Sequence, residues 1–186
     1  MISLQHKEKW KILHEFPNYE ISNLGRIYNS REDIMMRTSQ TGHGNIKITL
    51  VAEQGIRYTR SVAQLVAEAF VDPPNALCNT VVVLDGDLSN VTAENLIWRP
   101  AWFAWKYIRQ LRVEQPHYYH NLRVMNLITG VEYSNIIEAG MTEGLLFADI
   151  WRSTYTGAEI FPGDLTFEVI GENVLESTRS HAKHGL

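Results

Sequence analysis

Cysteine is almost missing from this chain of 186 residues, which contains only Cys78. A single thiol excludes an internal disulfide and a thiolate metal cage, so Cys78 is expected to be a small buried residue. Long apolar runs are missing as well. The longest, at residues 81–84 and 145–148, fall far short of the roughly 20 residues that cross a bilayer, and residues 1–7 lack the apolar core of a signal peptide. We therefore expect a cytoplasmic globular protein without a membrane partner.

A strong positive charge is also lacking, because 21 acidic residues outnumber the 17 Lys and Arg residues and the net charge is −4. Lys and Arg supply most of the affinity of nucleic-acid-binding proteins by neutralising phosphates, so the total argues mildly against DNA. The distribution is uneven, however. Residues 1–60 carry nine basic and six acidic side chains, whereas residues 122–186 carry four and nine. A DNA-facing surface is therefore expected in the first third of the chain.

The basic side chains of that first third form the one basic concentration of the sequence. Beside Lys7, the candidate DNA-binding residues are Lys9, Lys11, Arg26, Arg31, Arg37 and Lys47. Contact with DNA phosphates and an ordinary solvated surface explain these residues equally well. Double-stranded DNA is therefore an open expectation for a partner.

Alternation of apolar and polar residues predicts short β-hairpins in the first 60 residues. The predicted strand pairs are residues 19–21 with 27–28, around the turn 22–25, and residues 46–50 with 57–60, around the turn 52–55. Apolar residues at three- and four-residue spacing then predict a helix from Val62 to Phe70, capped by Ser61 and ended by Pro73 and Pro74.

The middle of the chain reads as a strand, a turn and a helix. Residues 81–84 are a continuous β-prone run, and residues 85–87 form a tight turn. Pro100 suits the first turn of a helix whose apolar side chains are Trp102, Trp105, Ile108 and Leu111.

The last third predicts a strand and two short helices. Residues 117–120 are assigned to a linker, residues 122–128 to a strand, residues 129–130 to a turn and residues 131–133 to the returning strand. Ser134 is expected to cap a helix over residues 136–139, and residues 145–152 form a second helix before a strand at 165–170. The polar tail from Glu172 is expected to be flexible.

The fold class that follows is α+β, with small hairpins before a strand-turn-helix core and a C-terminal strand and helix-turn-helix module. The predicted segments are residues 1–55, 56–115, 116–171 and 172–186.

Three stretches carry a resemblance to the modular HNH homing endonucleases of bacteriophages and introns. Residues 10–12 and 19–27, WKI and YEISNLGRI, are similar to the nuclease-associated N-terminal motif of that family. Residues 62–70, VAQLVAEAF, together with DGD at 85–87, Asn90 and NLIW at 95–98, resemble the HNH core of the family in a degenerate form. Residues 122–170 look like the family's helix-turn-helix repeat. The resemblance covers residues 8–170 and implies a DNA endonuclease scaffold.

The positions where the chain departs from the family motif are those that carry out phosphodiester hydrolysis in the family. In the family, the His of the motif N-H-x-D-G is the general base that deprotonates water, and flanking oxygens hold one divalent cation. Here Val83 stands at that His position, Val82 at the preceding polar position, and Ala63 where the helix His would be. Since a general base contributes about 10²- to 10⁴-fold, we expect no hydrolysis by the family route and assign no catalytic residue.

Oxygen ligands remain in the turn, where Asp85 and Asp87 are the candidate residues for a Mg²⁺ or Ca²⁺ site. Asp is also favoured in tight turns for its local hydrogen bonds, and a structural turn without a cofactor is the stronger interpretation. His117 and His120 have a spacing that suits a metal only on a helix, which the linker assignment disfavours.

Large apolar side chains replace the polar residues expected on a DNA-reading helix. The predicted helix at 145–152 has more apolar bulk than one buried face accepts, which suggests a protein contact through Phe147 or Trp151. Trp102 and Trp105 belong to an aromatic run for which core or protein-interface packing is favoured over stacking on single-stranded bases.

Three functional hypotheses remain. The first is a catalytically silent, phage-encoded HNH relative reused as a binding or assembly protein, either a host-directed factor or a virion component, in the cytoplasm of a bacterial host. The second is a protein that keeps DNA binding without cleavage. The third is an active endonuclease whose base is His43 or His117.

Overall fold

A computed structural model describes residues 7–52, 54–72 and 77–173, which form an α+β fold as predicted. The chain divides into two compact units, Met1–Ile108 and Arg109–Leu186. The segment limits expected from the sequence stay predictions. Pro73, Pro74 and the tail beyond residue 173 lie outside the described residues. No helix in the described part of the chain is long and apolar enough to cross a membrane.

The first unit opens with two antiparallel sheets that contain both predicted hairpins. The first sheet has the order β1-β2-β3-β4 and the second β5-β6-β7. Their strands are β1 (Trp10–Leu13), β2 (Phe16–Ser22), β3 (Ile27–Asn29), β4 (Ile34–Met35), β5 (Ser39–Gln40), β6 (Ile46–Val51) and β7 (Arg57–Ser61). Ile21 pairs with Ile27, and Leu50 with Tyr58, so the predicted pairings are confirmed.

The turn between β2 and β3 requires glycine at Gly25 for two reasons. Its φ of +83° lies in the left-handed region, and a Cβ there would come within 2.4 Å of Val91 Cγ2. The Ser22 hydroxyl accepts hydrogen bonds from the backbone N–H groups of Leu24 and Arg26 and so holds the same turn.

Helix α1 (Val62–Phe70) follows β7 directly, and two further strands complete the first unit. Ser61 is the N-cap residue as predicted, but its hydroxyl makes no capping hydrogen bond. Strands β8 (Thr80–Val83) and β9 (Leu96–Arg99) pair with each other, and α2 (Ala101–Gln110) comes after β9. Leu111, which was assigned to this helix, lies beyond its end.

One hydrophobic core joins both sheets, α1, β8 and β9. Side chains from each element are almost completely buried in it: Ile21, Ile27, Ile48, Leu50, Val62, Leu65, Val66, Val83 and Leu96. The period-two alternation of β6 places Ile48 and Leu50 in this core and leaves Lys47, Thr49 and Val51 exposed on the outer face.

The second unit is a three-stranded sheet of order β11-β10-β12 covered by helices. Its elements are α3 (His117–Asn121), β10 (Leu122–Asn126), β11 (Glu132–Tyr133), α4 (Ile136–Glu143), α5 (Phe147–Thr156) and β12 (Phe167–Glu172). The predicted strands and helix pair are confirmed. The predicted linker at residues 117–120 is wrong, because these residues belong to the short helix α3, which has Pro116 as its N-cap, and Tyr119 is buried in the core.

The start of α4 also differs from the prediction. Asn135 is the N-cap residue, and its side chain accepts a hydrogen bond of 2.8 Å from the Glu138 N–H. The Glu138 carboxylate accepts hydrogen bonds from the N–H and hydroxyl of Ser134, which lower the pKa of Glu138. Ser134 therefore precedes the cap instead of forming it, in a capping-box arrangement.

Phe147, one of the two candidate contact residues of α5, is a core residue, whereas the other, Trp151, is half-buried. Only 2% of the Phe147 surface is exposed, since this residue begins α5 where α4 and α5 meet. Gly140 of α4 makes this close approach possible, because a Cβ at that position would lie 2.4 Å from Phe147 Cδ1 and 3.2 Å from the Leu145 carbonyl oxygen.

The Gly140→Ala substitution is expected to destabilise the second unit. Alanine normally stabilises a helix interior by about 1 kcal/mol relative to glycine, but overpacking a core costs about 1–3 kcal/mol. Urea unfolding should therefore show a net loss of stability, whereas Thr142→Ala, an exposed site on α4, should show none. An increase in stability for Gly140→Ala would contradict the described packing.

Candidate active site

The segment that resembles an HNH motif forms a strand, a loop, a second strand and a helix. Val83 at the end of β8 pairs with Leu96 at the start of β9, and the Leu84 N–H donates 2.9 Å to the Asn95 carbonyl oxygen. These contacts close the base of the loop formed by residues 84–95. The family-like turn therefore projects from a short two-stranded sheet.

The two positions where the family motif has polar side chains are filled by buried valines. Val82 is 1% exposed and Val83 is 7% exposed, and Val83 belongs to the core that also contains Leu96. A general base must lie within hydrogen-bond reach of the proton that it removes, and a valine has no lone pair. Ala63, at the third position, is a half-buried residue of α1.

Both oxygens of the Asp85 carboxylate accept hydrogen bonds from within the loop. Asn90 Nδ2 donates to Oδ2 at 2.7 Å, while Asn95 Nδ2 and the Asp87 N–H each donate to Oδ1 at 2.9 Å. In return, the Asp85 N–H donates to Asn95 Oδ1 at 3.1 Å. This reciprocal network gives Asp85, Asn90 and Asn95 a structural role in the turn.

Asp87 makes a separate local contact. Its Oδ1 accepts hydrogen bonds from the Ser89 hydroxyl at 2.7 Å and from the Ser89 N–H at 2.9 Å. These hydrogen bonds lower the pKa of Asp87, with the hydroxyl contact as the largest cause. The two aspartates thus bind different donors of the loop.

Helix α2 contacts the loop through the side chain of Tyr107. The Tyr107 hydroxyl donates 2.9 Å to the Leu84 carbonyl oxygen, and burial raises the pKa of this tyrosine. The inward face of α2 in the first unit consists of Phe103, Ala104 and Tyr107. This face supplies packing and one hydroxyl donor to the loop.

Neither histidine considered as an alternative base belongs to the loop, although the residue after His43 approaches it, since a Cβ at Gly44 would lie 3.7 Å from Leu88 Cβ. His43 is exposed in the connection between β5 and β6. His117 belongs to the second unit, where its Nδ1 is 2.9 Å from Asn121 Nδ2. Within residues 7–52, 54–72 and 77–173, no group of three or more His, Cys, Asp or Glu side chains is arranged to hold a metal ion.

Two of the candidate DNA-binding residues are engaged inside the protein. Lys11 Nζ donates 2.6 Å to the Ala69 carbonyl oxygen and lies 5.0 Å from the centre of the Phe70 ring. Arg26 forms an ion pair with Glu8, with Nε–Oε1 at 2.8 Å, and its guanidinium lies over the Trp10 ring.

The other candidates are exposed but do not all share one surface. Lys9 precedes β1, Arg31 lies in the turn between β3 and β4, and Arg37 follows β4. Lys47 lies on the outer face of β6. The basic concentration of the sequence is therefore distributed over several parts of the first unit.

Sequence reasoning missed Arg57 as a companion of Lys47. In the antiparallel register, Lys47 pairs with Ser61, Thr49 with Thr59 and Val51 with Arg57, so these side chains share the outer face of the sheet. The Thr49 and Thr59 hydroxyls are 3.1 Å apart. We call the surface formed by Lys47, Thr49, Thr59 and Arg57 the outer face of the β5–β7 sheet. Two of these four side chains are positively charged and none is negatively charged. The alternation of β7 was the available signal.

The candidate interface residues fall into two classes. Trp102 and Trp105 on α2 are 54% and 63% exposed, whereas Phe147 is buried. Trp151 is half-buried, and its ring centre lies 4.8 Å from that of Tyr118 and 5.3 Å from that of Tyr155. These three rings form the aromatic surface of the second unit.

Known proteins that resemble the chain are named HNH endonucleases, although no protein-family model matches it. Two uncharacterized HNH endonucleases of Acanthamoeba polyphaga mimivirus, L245 and L247, are 33% and 34% identical to it over 90 residues. Those residues are 48% of this chain but 26% and 22% of the two relatives. The chain thus spans about a quarter of the length of these viral relatives.

A solved structure shares the fold over most of the chain. It is the HNH homing endonuclease I-HmuI, from work on DNA binding and cleavage by that enzyme, and it matches with a TM-score of 0.52 at 20% identity. The match covers 87% of this chain and 97% of that one. The predicted α+β class is therefore confirmed, and the fold is that of an HNH homing endonuclease. The predicted modular architecture stays a prediction.

The hydrogen bonds of Asp85 predict a stability role that does not depend on a cation. Asp85→Ala removes an acceptor for three donors and should lower the free energy of unfolding by about 1–2 kcal/mol, whereas Asp87→Ala should have a smaller effect. Mg²⁺ or Ca²⁺ at millimolar concentration should leave the melting temperature of the wild type unchanged. Stabilisation by either cation, lost in Asp85→Ala, would show that the loop is a metal site.

Proposed function

We propose that this chain is a catalytically silent relative of the HNH endonucleases that acts as a binding protein. The observation that carries the proposal is the burial of Val83, at the position of the family's general base, in the core of the first unit. Viral relatives support a viral source. A bacteriophage source, a bacterial host and a role as virion component or host-directed factor are finer parts of the same proposal.

Loss of the base removes the family route to hydrolysis. Water attacks a phosphodiester only when a proton acceptor and charge stabilisation are both positioned, and the base alone supplies about 10²- to 10⁴-fold. Val83 cannot accept a proton, and Asp85 is bound by Asn90 and Asn95. A fold can be kept while its chemistry changes, because function depends on the site and not on the fold.

Double-stranded DNA is the partner that the first unit supports best. Lys47 and Arg57 provide phosphate-binding charge on the outer face of the β5–β7 sheet, and the Thr49 and Thr59 hydroxyls add neutral hydrogen-bonding groups. A two-stranded β-ribbon fits the major groove of B-DNA. Fold similarity to a DNA-binding homing endonuclease agrees with this choice.

A protein partner is supported by a different observation in the second unit. The rings of Tyr118, Trp151 and Tyr155 are in contact in one row, and Tyr118 and Tyr155 are 43% and 64% exposed. Aromatic side chains of this kind are enriched at protein interfaces. Because residues 122–186 carry nine acidic and four basic side chains, this surface favours protein over DNA.

The purified protein is expected not to cut double-stranded plasmid with Mg²⁺ or Mn²⁺, because no proton acceptor occupies the Val83 position. The assay measures conversion of supercoiled plasmid to nicked and linear forms. Asp85→Asn, which keeps an acceptor oxygen for the loop, is the matched variant. A nuclease activity that co-purifies with the wild-type protein, and that is lost in a folded Asp85→Asn variant, would contradict catalytic silence.

DNA affinity is expected to depend on the outer face of the β5–β7 sheet. Lys47→Ala and Arg57→Ala should each weaken binding of a duplex and reduce the slope of log K against log salt by about 1. Lys106→Ala, an exposed cation on α2, serves as the matched control and should change neither. Fluorescence anisotropy over a salt series measures both quantities. If all three variants lose the same amount of DNA affinity, binding depends on the overall positive charge of the protein and not on this surface.

A further inference from the structure

Strands β6 and β7 form a narrow ribbon over most of their length. Strand β5 pairs only with Ile46 and Lys47, so beyond Lys47 the sheet is two strands wide. Ile48 and Leu50 bury the inner face of this ribbon in the core, and the outer face is exposed. A two-stranded ribbon with one free face is a form of β-structure that the major groove of B-DNA admits.

The two cations of the outer face are available to a partner. Lys47 and Arg57 take part in none of the ion pairs found among the described residues. Two acidic side chains near the sheet, Glu15 and Glu68, are bound to Arg60. Arg60 is three positions from Arg57 along β7, so it lies on the opposite face. The outer-face positions of β5, β6 and β7 contain no Asp or Glu, and the positive charge there is not cancelled.

The outer face has its cations at the two ends and its hydroxyl groups in the middle. Lys47 and Arg57 are four positions apart along the ribbon and on different strands, which places their Cα atoms about 14 Å apart. The major groove is about 12 Å wide and is bounded by the two phosphate backbones. Long cationic side chains at this spacing can reach phosphates, while Thr49 and Thr59 between them face the base pairs.

Thr49 and Thr59 act as one hydrogen-bonding unit. They lie directly opposite each other in the register, and their hydroxyl oxygens are 3.1 Å apart. One hydroxyl donates its hydrogen to the other. The oxygen of the donating hydroxyl keeps its lone pairs, and the accepting hydroxyl keeps its own O–H group. The pair therefore presents one acceptor and one donor side by side, as the side-chain amide of Asn or Gln does.

This combination of one donor and one acceptor matches a single base in the major groove. Adenine presents the N7 acceptor next to the N6 amino donor, whereas guanine presents two acceptors, thymine one acceptor and cytosine one donor. The amide side chains of Asn and Gln bind adenine through the same two atoms. The threonine pair has the same complement of groups.

We infer that the hydroxyl pair of Thr49 and Thr59 binds an adenine in the major groove and so determines which DNA sequences this surface prefers. One hydroxyl donates to adenine N7, and the other accepts from the N6 amino group. The inference rests on the proposed DNA-binding function and adds a base preference to it. Phosphate contacts position a protein without reading sequence, so Lys47 and Arg57 supply affinity and the threonine pair supplies the preference.

The test uses the full chain and a pool of duplexes with a randomised central segment, from which the tightest-binding duplexes are selected. The selected duplexes should share an A·T pair. Replacing that adenine by guanine, or by 7-deazaadenine, which has a C–H group in place of N7, should weaken binding of the wild type about tenfold, because a two-point contact is lost. Fluorescence anisotropy measures the affinities.

Protein variants separate the base contact from the phosphate contacts. Thr49→Val and Thr59→Val keep the β-branched shape and remove one hydroxyl each, so each variant should bind the adenine and 7-deazaadenine duplexes equally well, with an unchanged salt dependence. Thr49→Ser keeps the hydroxyl and should keep the preference. Ser39→Ala, which removes an exposed hydroxyl next to Lys47 on β5, is the matched control and should also keep it. Lys47→Ala should weaken binding of both duplexes by the same factor. Circular dichroism checks that each variant is folded.

Two results would overturn the inference and leave DNA binding intact. One is the absence of a shared A·T pair in the selected duplexes, or a preference for adenine that both valine variants keep. The other is a preference lost in Thr49→Ser and kept in Thr49→Val, which would assign the contact to the threonine methyl group and a thymine methyl group.

Failure of the proposed DNA-binding function would look different. No duplex of the pool would be retained by the wild type, or Lys47→Ala and Arg57→Ala would bind duplexes as tightly as the wild type. Either result would overturn the base contact together with the function on which it rests.

Discussion

The packing of β8 into the core of the first unit is the constraint on which the candidate site depends. Val82 and Val83 are almost completely buried, and the pairing of Val83 with Leu96 fixes the start and end of the loop. A histidine at the same place would bring a polar ring to a position that now contributes apolar area to the core. Val83 thus contributes to the family-like packing and also replaces the histidine of the family motif.

Hydrogen bonds within the first unit hold the loop that follows β8. Asp85 is bound by two amide side chains, and the Tyr107 hydroxyl holds the Leu84 carbonyl oxygen from α2. In our proposal, the residues that resemble a metal-binding turn have this structural role. The proposed binding surfaces lie elsewhere: the positive outer face of the β5–β7 sheet in the first unit and the row of aromatic rings in the second.

Local patterns predicted the elements well, and tertiary contacts explain the errors. The alternation in β6 and the three- and four-residue spacing in α1 identified the elements because one face of each is buried in the core. The sequence could not decide between Phe147 and Trp151 as the contact residue, because a glycine on the neighbouring helix, Gly140, lets the Phe147 ring enter the core, which a pattern within one helix does not reveal. The sequence also could not show which basic residues are available to a partner, since the ion pair of Arg26 with Glu8 joins positions far apart in sequence.

Methyl NMR with Mn²⁺ tests the central claim of a silent site most directly. Mn²⁺ bound at the 84–95 loop would broaden the methyl signals of Val83 and Leu96, which lie at its base, by paramagnetic relaxation. The measurement is made on the protein saturated with duplex DNA, and the methyl signals of Val124 in the second unit serve as the reference. The account predicts that Mn²⁺ broadens the Val83 and Leu96 signals no more than the Val124 signals. Selective broadening at Val83 and Leu96 would place a catalytic-type cation in the loop and contradict the account.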